Sequence, residues 1–165
     1  MNTTIAIILA QSLNLAAFIF LAFWYAVPWL KSSSRVNALT ALILVHLGRT
    51  LALQLYSSQQ AGMVVPDGFR DHLVVGDVAG WALALIILIC LRYRARFTIF
   101  LIWVLIAETM IDIGSGTLDG LRTNTMGNLW GTTWLVVAIY VPLMMVSLGL
   151  TVWQLLSRCQ ETLMA

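Results

Sequence analysis

Five long runs of apolar residues, separated by short polar or charged stretches, make up most of the chain. They cover about residues 5–27, 36–56, 73–91, 97–118 and 130–156. Each has about 19–27 residues, the length that an α-helix needs to cross a hydrocarbon layer of about 30 Å. A helix also satisfies its own backbone hydrogen bonds, as lipid requires. The pattern predicts an all-α membrane protein, a bundle of five transmembrane helices that forms one domain over residues 1–165.

Proline and polar residues mark the expected ends of these helices. Pro28 is expected to end the first helix, with Lys31 and Arg35 in the loop that follows. The polar stretch from Ser57 to Asp71 contains glycine and proline and predicts a long loop. Its composition is compatible with either a lid or a plain connector.

The composition agrees with a surface that faces lipid. Hydrophobic residues make up 61% of the 165 residues, and charged residues only 10%. A soluble domain carries about 25% charged residues, because its surface faces water. A net charge of +2 gives no basic surface for nucleic acid. The lipid bilayer is therefore the expected partner of most of the surface, and nucleic acid is not an expected partner.

The basic residues are distributed unevenly between the two ends of the predicted helices. One end carries six of them: Lys31, Arg35, Arg92, Arg94, Arg96 and Arg158. The opposite loops carry Arg70 and Arg122. Because positively charged loops stay cytoplasmic, the bias predicts an outer N-terminus and an inner C-terminus in a bacterial inner membrane. Aromatic residues at the ends of the runs, among them Trp24, Trp153 and Trp130, are typical of membrane–water interfaces.

Ionisable residues interrupt three of the apolar runs. His46 and Arg49 lie in the second run, Asp77 in the third, and Glu108 and Asp112 in the fourth. From the helix rise, His46 and Glu108 fall within about 2 Å of the midpoints of their runs. Arg49 lies about 4–5 Å toward the outer end, and the two aspartates about 7–8 Å. An isolated charge at the bilayer centre costs at least about 2.5–3.5 kcal/mol, so these groups are expected to pair or to line a wet cavity.

Spacing along each helix brings these residues into pairs. His46 and Arg49 share one face of the second helix, and Glu108 and Asp112 share one face of the fourth. One arginine and three carboxylates leave a negative excess unless His46 or a carboxyl group holds a proton. A structural network that only holds helices together is one interpretation. We favour the other, that these residues touch a ligand, a proton or a substrate, because intramembrane ionisable residues commonly mark functional sites.

Two tryptophans and several glycines also have two interpretations each. Trp81 and Trp103 lie in the middle of their runs, where they can pack against neighbouring helices or form an aromatic wall for a cationic or polyene ligand. Gly76 and the segment 114–116 allow close helix packing or give a ligand access to the backbone. The candidate ligand-binding residues are therefore His46, Arg49, Asp77, Glu108, Asp112, Trp81 and Trp103.

The segment from His46 to Leu85 carries a short set of motifs. They are His46-x-x-Arg49, then residues 62–66, then Gly76-Asp77. In these motifs the segment, about a quarter of the chain, resembles a bacterial family of small uncharacterised multi-pass membrane proteins. The resemblance implies that His46, Arg49 and Asp77 belong to one motif set, and it implies no activity.

Three functions are compatible with these features. We favour a membrane-embedded binding or transfer protein with a polar pocket in the outer leaflet for a small ligand, an ion or a proton. The second is an intramembrane enzyme that acts on a lipid or isoprenoid substrate, with His46, Glu108 and Asp112 as candidate acid–base residues. Its general plan is similar to that of the five-helix sterol isomerases of the emopamil-binding type. The third is a structural or pigment-binding subunit of a larger membrane complex.

No metal is predicted, and the sequence identifies no cofactor. His46 lies near the centre and His72 near the outer surface, about 15 Å apart along the membrane normal, which does not suit a bis-histidine haem. Cys90 and Cys159 lack the spacing of a metal site. A hydrophobic small molecule, a second copy of the chain and a larger complex remain the open choices of partner.

Overall fold

The computed structural model describes residues 3–129 and 131–161 and is helical throughout, with no strand in these ranges. Five helices are long and apolar enough to cross a membrane: α1 (Thr3–Ser32), α2 (Arg35–Gln60), α3 (Asp67–Arg92), α4 (Thr98–Arg122) and α5 (Gly131–Ser157). The all-α class and the five helices are thus confirmed. Trp130, at which the fifth run was expected to begin, lies outside the described residues.

The first helix does not end at Pro28, as the sequence suggested. A π-helical turn at Ala22–Ala26 precedes the proline, and the helix then continues to Ser32. Proline removes one backbone donor and crowds the carbonyl four residues before it, and the wider π turn makes room for its ring. The same arrangement recurs in α5, where the π turn Val136–Tyr140 precedes Pro142.

The prediction of a long loop from Ser57 to Asp71 is also wrong. The second helix continues through Gln60 and the third begins at Asp67, so the connector is only residues 61–66. Side chains hold this connector in place: Gln59 Nε2 donates to Val65 O at 3.0 Å and to Asp67 Oδ1 at 2.8 Å. Hydropathy shows where an apolar run of the sequence ends. The polar residues that continue a helix beyond its apolar run have the same composition as a loop.

Two of the three apolar clusters in the described residues lie on opposite sides of the charged centre of the bundle. The first includes Leu39 and Ile43 of α2, packed among residues of α3, α4 and α5. The second includes Ala52 and Leu55 of α2, packed near the connector and the α4–α5 turn. Arg49 lies between these two stretches of α2, so the apolar clusters enclose it from both ends.

Side chains of α1 complete the backbone hydrogen bonding of α5. Asn14 Nδ2 donates to Ala138 O at 2.8 Å, and Gln11 Nε2 donates to Val137 O at 3.1 Å. Pro142 has no N–H to offer the carbonyl of Ala138, and the π turn before it shifts the helical hydrogen bonds by one residue. The two amides therefore satisfy carbonyls that α5 leaves free inside the bundle.

At the opposite end of the bundle, arginines tie the end of the chain to the α1–α2 junction. Arg35 was expected in a loop, but it is the first residue of α2 and is only 5% exposed, with its guanidinium on the backbone oxygen of Glu161. Arg158 donates to Ser33 O at 2.9 Å and pairs with the Glu161 carboxylate at 2.6 Å. That hydrogen-bonded pair holds the pKa of Glu161 below its usual value.

Candidate functional site

A short tightened stretch of α2 presents the two basic residues of the site. Residues Val45–Leu53 form a 3₁₀ helix within α2. Side chains three residues apart eclipse one another in this geometry, so His46 and Arg49 project in nearly the same direction. Both are completely buried. This arrangement agrees with the expectation that His46 and Arg49 share one face of the helix.

Arg49 is the centre of the site and binds three carboxylates from two other helices. Its Nε donates to Asp77 Oδ1 at 2.8 Å. Nη1 and Nη2 donate to the two oxygens of Glu108 at 2.6 and 2.9 Å, and Nη2 also donates to Asp112 Oδ2 at 2.6 Å. Nη1 makes a further bond of 3.1 Å to Thr109 Oγ1. All five N–H groups of the guanidinium are thereby directed at acceptors.

Two glycines of α3 make room for this ion-pair network. A β-carbon at Gly80 would overlap the guanidinium of Arg49, and one at Gly76 would overlap the carboxylate of Asp112. The glycines are four residues apart and therefore lie one above the other on α3. Sequence analysis missed Gly80. The signal that could have found it is the Gly-x-x-x-Gly spacing, which here accommodates charged side chains rather than a neighbouring backbone.

The network carries more negative than positive charge. Arg49 is fully buried, while the side chains of Asp77, Glu108 and Asp112 are 20%, 25% and 11% exposed. One guanidinium faces three carboxyl groups, which leaves an excess of two negative charges when all three are ionised. The guanidinium is the only cation bonded to these three carboxyl groups in the described residues, so its removal would leave them without charge compensation.

A cavity of about 120 Å³ adjoins the network. All five helices contribute to its lining, and Arg49, Asp77 and Asp112 form its charged end. Its walls are mainly apolar and include Ala52, Leu73, Ile113, Val137 and Met144. The site thus combines a charged end with an apolar body, the combination that is typical of small-molecule sites.

Polar side chains on α2 and α5 border the cavity away from Arg49. Gln54 Nε2 donates to Thr133 Oγ1 at 2.9 Å, and Thr132 Oγ1 donates to Gln54 Oε1 at 2.6 Å. Ser58 Oγ donates to the same amide oxygen at 2.8 Å. Gln54 and Thr133 line the cavity, which therefore has polar groups on two sides.

Four of the candidate residues do not line the cavity: His46, Glu108, Trp81 and Trp103. Glu108 points both of its carboxylate oxygens at Arg49. Trp103 is 40% exposed and faces outward from the bundle. His46 is buried, and neither ring nitrogen has a hydrogen-bond partner among the described residues. A position in the middle of an apolar run did not predict which residues line the cavity, because it does not indicate which face of the helix a residue occupies.

The described residues contain no group of three or more His, Cys, Asp or Glu side chains placed to hold a metal ion. The carboxylates that meet at Arg49 bind its N–H groups instead. Cys90 is buried and Cys159 is exposed, and both are free thiols.

The chain belongs to the family described as Domain of unknown function (DUF8737), whose model matches residues 6–156. The matched range contains Arg49 and its three carboxylate partners. No curated protein and no solved structure matches the chain. The family description gives no function, so a function for this chain rests on the geometry of the site.

Proposed function

We propose that this family member is a membrane-embedded binding protein that admits a small ligand, an ion or a proton to the cavity beside Arg49. The observation that carries the proposal is a cavity lined by all five helices that ends at a charged network. A network needed only to hold helices together has no use for empty space directly beside its charged groups, where packing would exclude it.

We propose further that the chain lies in a bacterial inner membrane with its N-terminus outside. The charges at the helix ends support this orientation. At the end where α3 stops and α4 starts, Arg92, Arg94 and Arg96 are exposed and close in sequence. At the opposite end, Arg70 pairs with Asp67 and Asp71, and Arg122 pairs with Asp119. The first end carries a basic excess and the second does not, so the first is the cytoplasmic one.

The same orientation assigns the cavity to the outer half of the membrane. The cavity extends from Arg49 toward Gln54 on α2 and Thr133 on α5, and both of these lie toward the end at which α2 stops and α5 starts. That end is the outer one in the proposed topology. A ligand is therefore expected to enter from the outer side.

The acid–base enzyme has less support than the binding protein. His46 does not line the cavity, and Glu108 is fully engaged by Arg49. A general acid or base needs to reach a bound substrate within hydrogen-bond distance. Of the three candidate catalytic residues, Asp112 alone borders the cavity.

Native mass spectrometry of the protein in a mild detergent tests the binding function. We expect the protein to retain a small molecule and Ala52→Phe to lose it, because the phenyl ring enters the cavity. Ala79→Phe is the matched control, since Ala79 is exposed on α3 and does not line the cavity. Equal retention by the two variants would contradict the proposed cavity as the binding site, and absence of any retained molecule would contradict a small ligand as its occupant.

A further inference from the structure

The hydrogen bonds of Arg49 leave an uneven set of free groups at the charged end of the cavity. The guanidinium is fully used, and Glu108 accepts with both oxygens. Asp77 and Asp112 each accept with one oxygen, Oδ1 and Oδ2 respectively. Within residues 3–129 and 131–161, no donor is directed at the other oxygen of either aspartate. Both aspartates line the cavity, and the unbonded Oδ1 of Asp112 lies against Gly76. The free groups of these two side chains are therefore acceptors.

Charge favours the same kind of ligand. An anion would meet three carboxyl groups and would have to break an existing ion pair to reach a donor of Arg49. A neutral apolar molecule would leave the free oxygens of Asp77 and Asp112 unpaired in an apolar environment, which is unfavourable. A cation that carries N–H groups offers these oxygens both donors and opposite charge.

A metal cation fits the cavity poorly. Calcium takes about 6–8 oxygen ligands, and magnesium needs a near-octahedral set. The charged end offers two free carboxylate oxygens. The polar side chains Gln54 and Thr133 border the cavity away from Arg49 and bond to each other, and the walls include apolar side chains such as Leu73 and Ile113. These walls suit a hydrocarbon body better than a hydration shell.

The size of the cavity limits the size of the ligand's hydrocarbon part. The free volume is about 120 Å³. An apolar protein cavity of about 150 Å³ admits benzene, so a body of about six carbon atoms is near the upper limit here. We infer that the ligand is a small amphiphilic organic cation, a protonated amine on an apolar body, with its ammonium group between Asp77 and Asp112. This inference rests on the proposed binding function.

Three probes of one shape and different charge test the inference. They are cyclohexylammonium, cyclohexanol and cyclohexanecarboxylate, titrated at neutral pH into the full chain in detergent by isothermal calorimetry. We expect the ammonium probe to bind about tenfold or more tightly than cyclohexanol, because its charge-assisted hydrogen bonds have no equivalent in the alcohol. The carboxylate probe is expected not to bind.

Variants assign the binding to the cavity. Ala52→Phe is expected to abolish binding of the ammonium probe, and Ala79→Phe is expected to leave it unchanged. Asp77→Asn keeps an oxygen for Arg49 Nε but loses the charge, so the preference for the ammonium probe over cyclohexanol should fall by about tenfold. The comparison of probes on the unaltered chain does not depend on the folding of any variant.

Failure of the cation inference can be distinguished from failure of the proposed binding function. Binding of cyclohexanol or the carboxylate at least as tight as that of the ammonium probe, and sensitive to Ala52→Phe, overturns the cation inference and leaves the binding function in place. Absence of binding by all three probes overturns the cation inference, and the retained-molecule experiment then decides the binding function separately.

Discussion

The guanidinium of Arg49 lies against the backbone of Gly80, in the space that a β-carbon would occupy. The buried guanidinium of Arg49 thus depends on Gly80 having no side chain. Because α3 has no side chain at this point, its helix axis approaches Arg49 closely enough for Asp77 to reach Nε at 2.8 Å.

Gly80→Ala is expected to destabilise the protein by about 1–3 kcal/mol, because the added methyl group overlaps a guanidinium that its ion pairs hold in place. Gly76→Ala should behave similarly through Asp112. Thermal or denaturant unfolding in detergent measures both effects.

Gly114→Ala is the matched control for these substitutions. Gly114 lies in the middle of α4, is exposed, and has no atom within 4 Å of a β-carbon added to it. Alanine is the better helix former by about 0.8–1.0 kcal/mol, so this variant should be neutral or more stable. A loss of stability at Gly114 equal to that at Gly80 would contradict the packing that the structure describes.

Arg49→Leu is expected to destabilise the protein by about 3–5 kcal/mol, because it leaves three partly buried carboxyl groups without their cation. Arg49→Lys should recover only part of this loss, since an ammonium group cannot match the three directions of the guanidinium fork. Arg96→Leu, at an exposed position, is the control. Arg35 is unsuitable as a control because it is buried and bonded to Glu161. Equal unfolding temperatures for Arg49→Leu and Arg96→Leu would contradict the central role of Arg49.

The amide of Asn14 and the missing N–H of Pro142 are expected to be energetically coupled. Asn14→Leu should destabilise the protein by about 0.5–2 kcal/mol, because it leaves the carbonyl of Ala138 unsatisfied. In a Pro142→Ala background the same change should cost less, since alanine can supply the backbone donor itself. A double-mutant cycle measures the coupling.

Ser12→Leu serves as the control for Asn14→Leu, because the Ser12 hydroxyl donates to Ile8 O within its own helix. Its effect should be the same with Pro142 or with Ala at position 142. Strict additivity of Asn14→Leu and Pro142→Ala would contradict the coupling.

The two cysteines report the orientation of the chain. Cys159 is exposed beyond the end of α5, whereas Cys90 is buried. A membrane-impermeant maleimide should label Cys159 in inside-out vesicles but not in intact spheroplasts. Gln60→Cys in a Cys159→Ser background should give the opposite result, since Gln60 is exposed at the other end of the bundle. Labelling of Cys159 in spheroplasts would reverse the proposed topology.

Hydropathy was sufficient to predict the five helices but not their ends. The apolar runs reflect the thickness of the lipid layer, and helical hydrogen bonding does not stop where that layer stops. Residues 57–60 are polar and residues 67–72 are mostly polar, yet both segments are helical for this reason. Pro28 led to the same kind of error, a helix end predicted too early, because a π turn before it allows the helix to continue.

Spacing was sufficient to predict that Arg49 could pair with carboxylates, but not how many it would bind. The separation of Glu108 and Asp112 fixes their common face on α4. The rotation of α4 about its own axis relative to α2 depends on packing, which a single sequence does not encode in any local pattern. The same limit explains Trp103, which is 40% exposed: its position along the sequence does not indicate that its side chain faces outward from the bundle.

The chain order of the charged residues has a consequence for biosynthesis. Arg49 precedes Asp77 by 28 residues and Asp112 by 63. If the helices enter the bilayer in chain order, as the proposed topology requires, α2 therefore brings in a cation before its partners have been synthesised. Until α4 follows, that nascent helix carries an uncompensated charge at a cost of at least about 2.5 kcal/mol, so its commitment to the bilayer depends on the later hairpin.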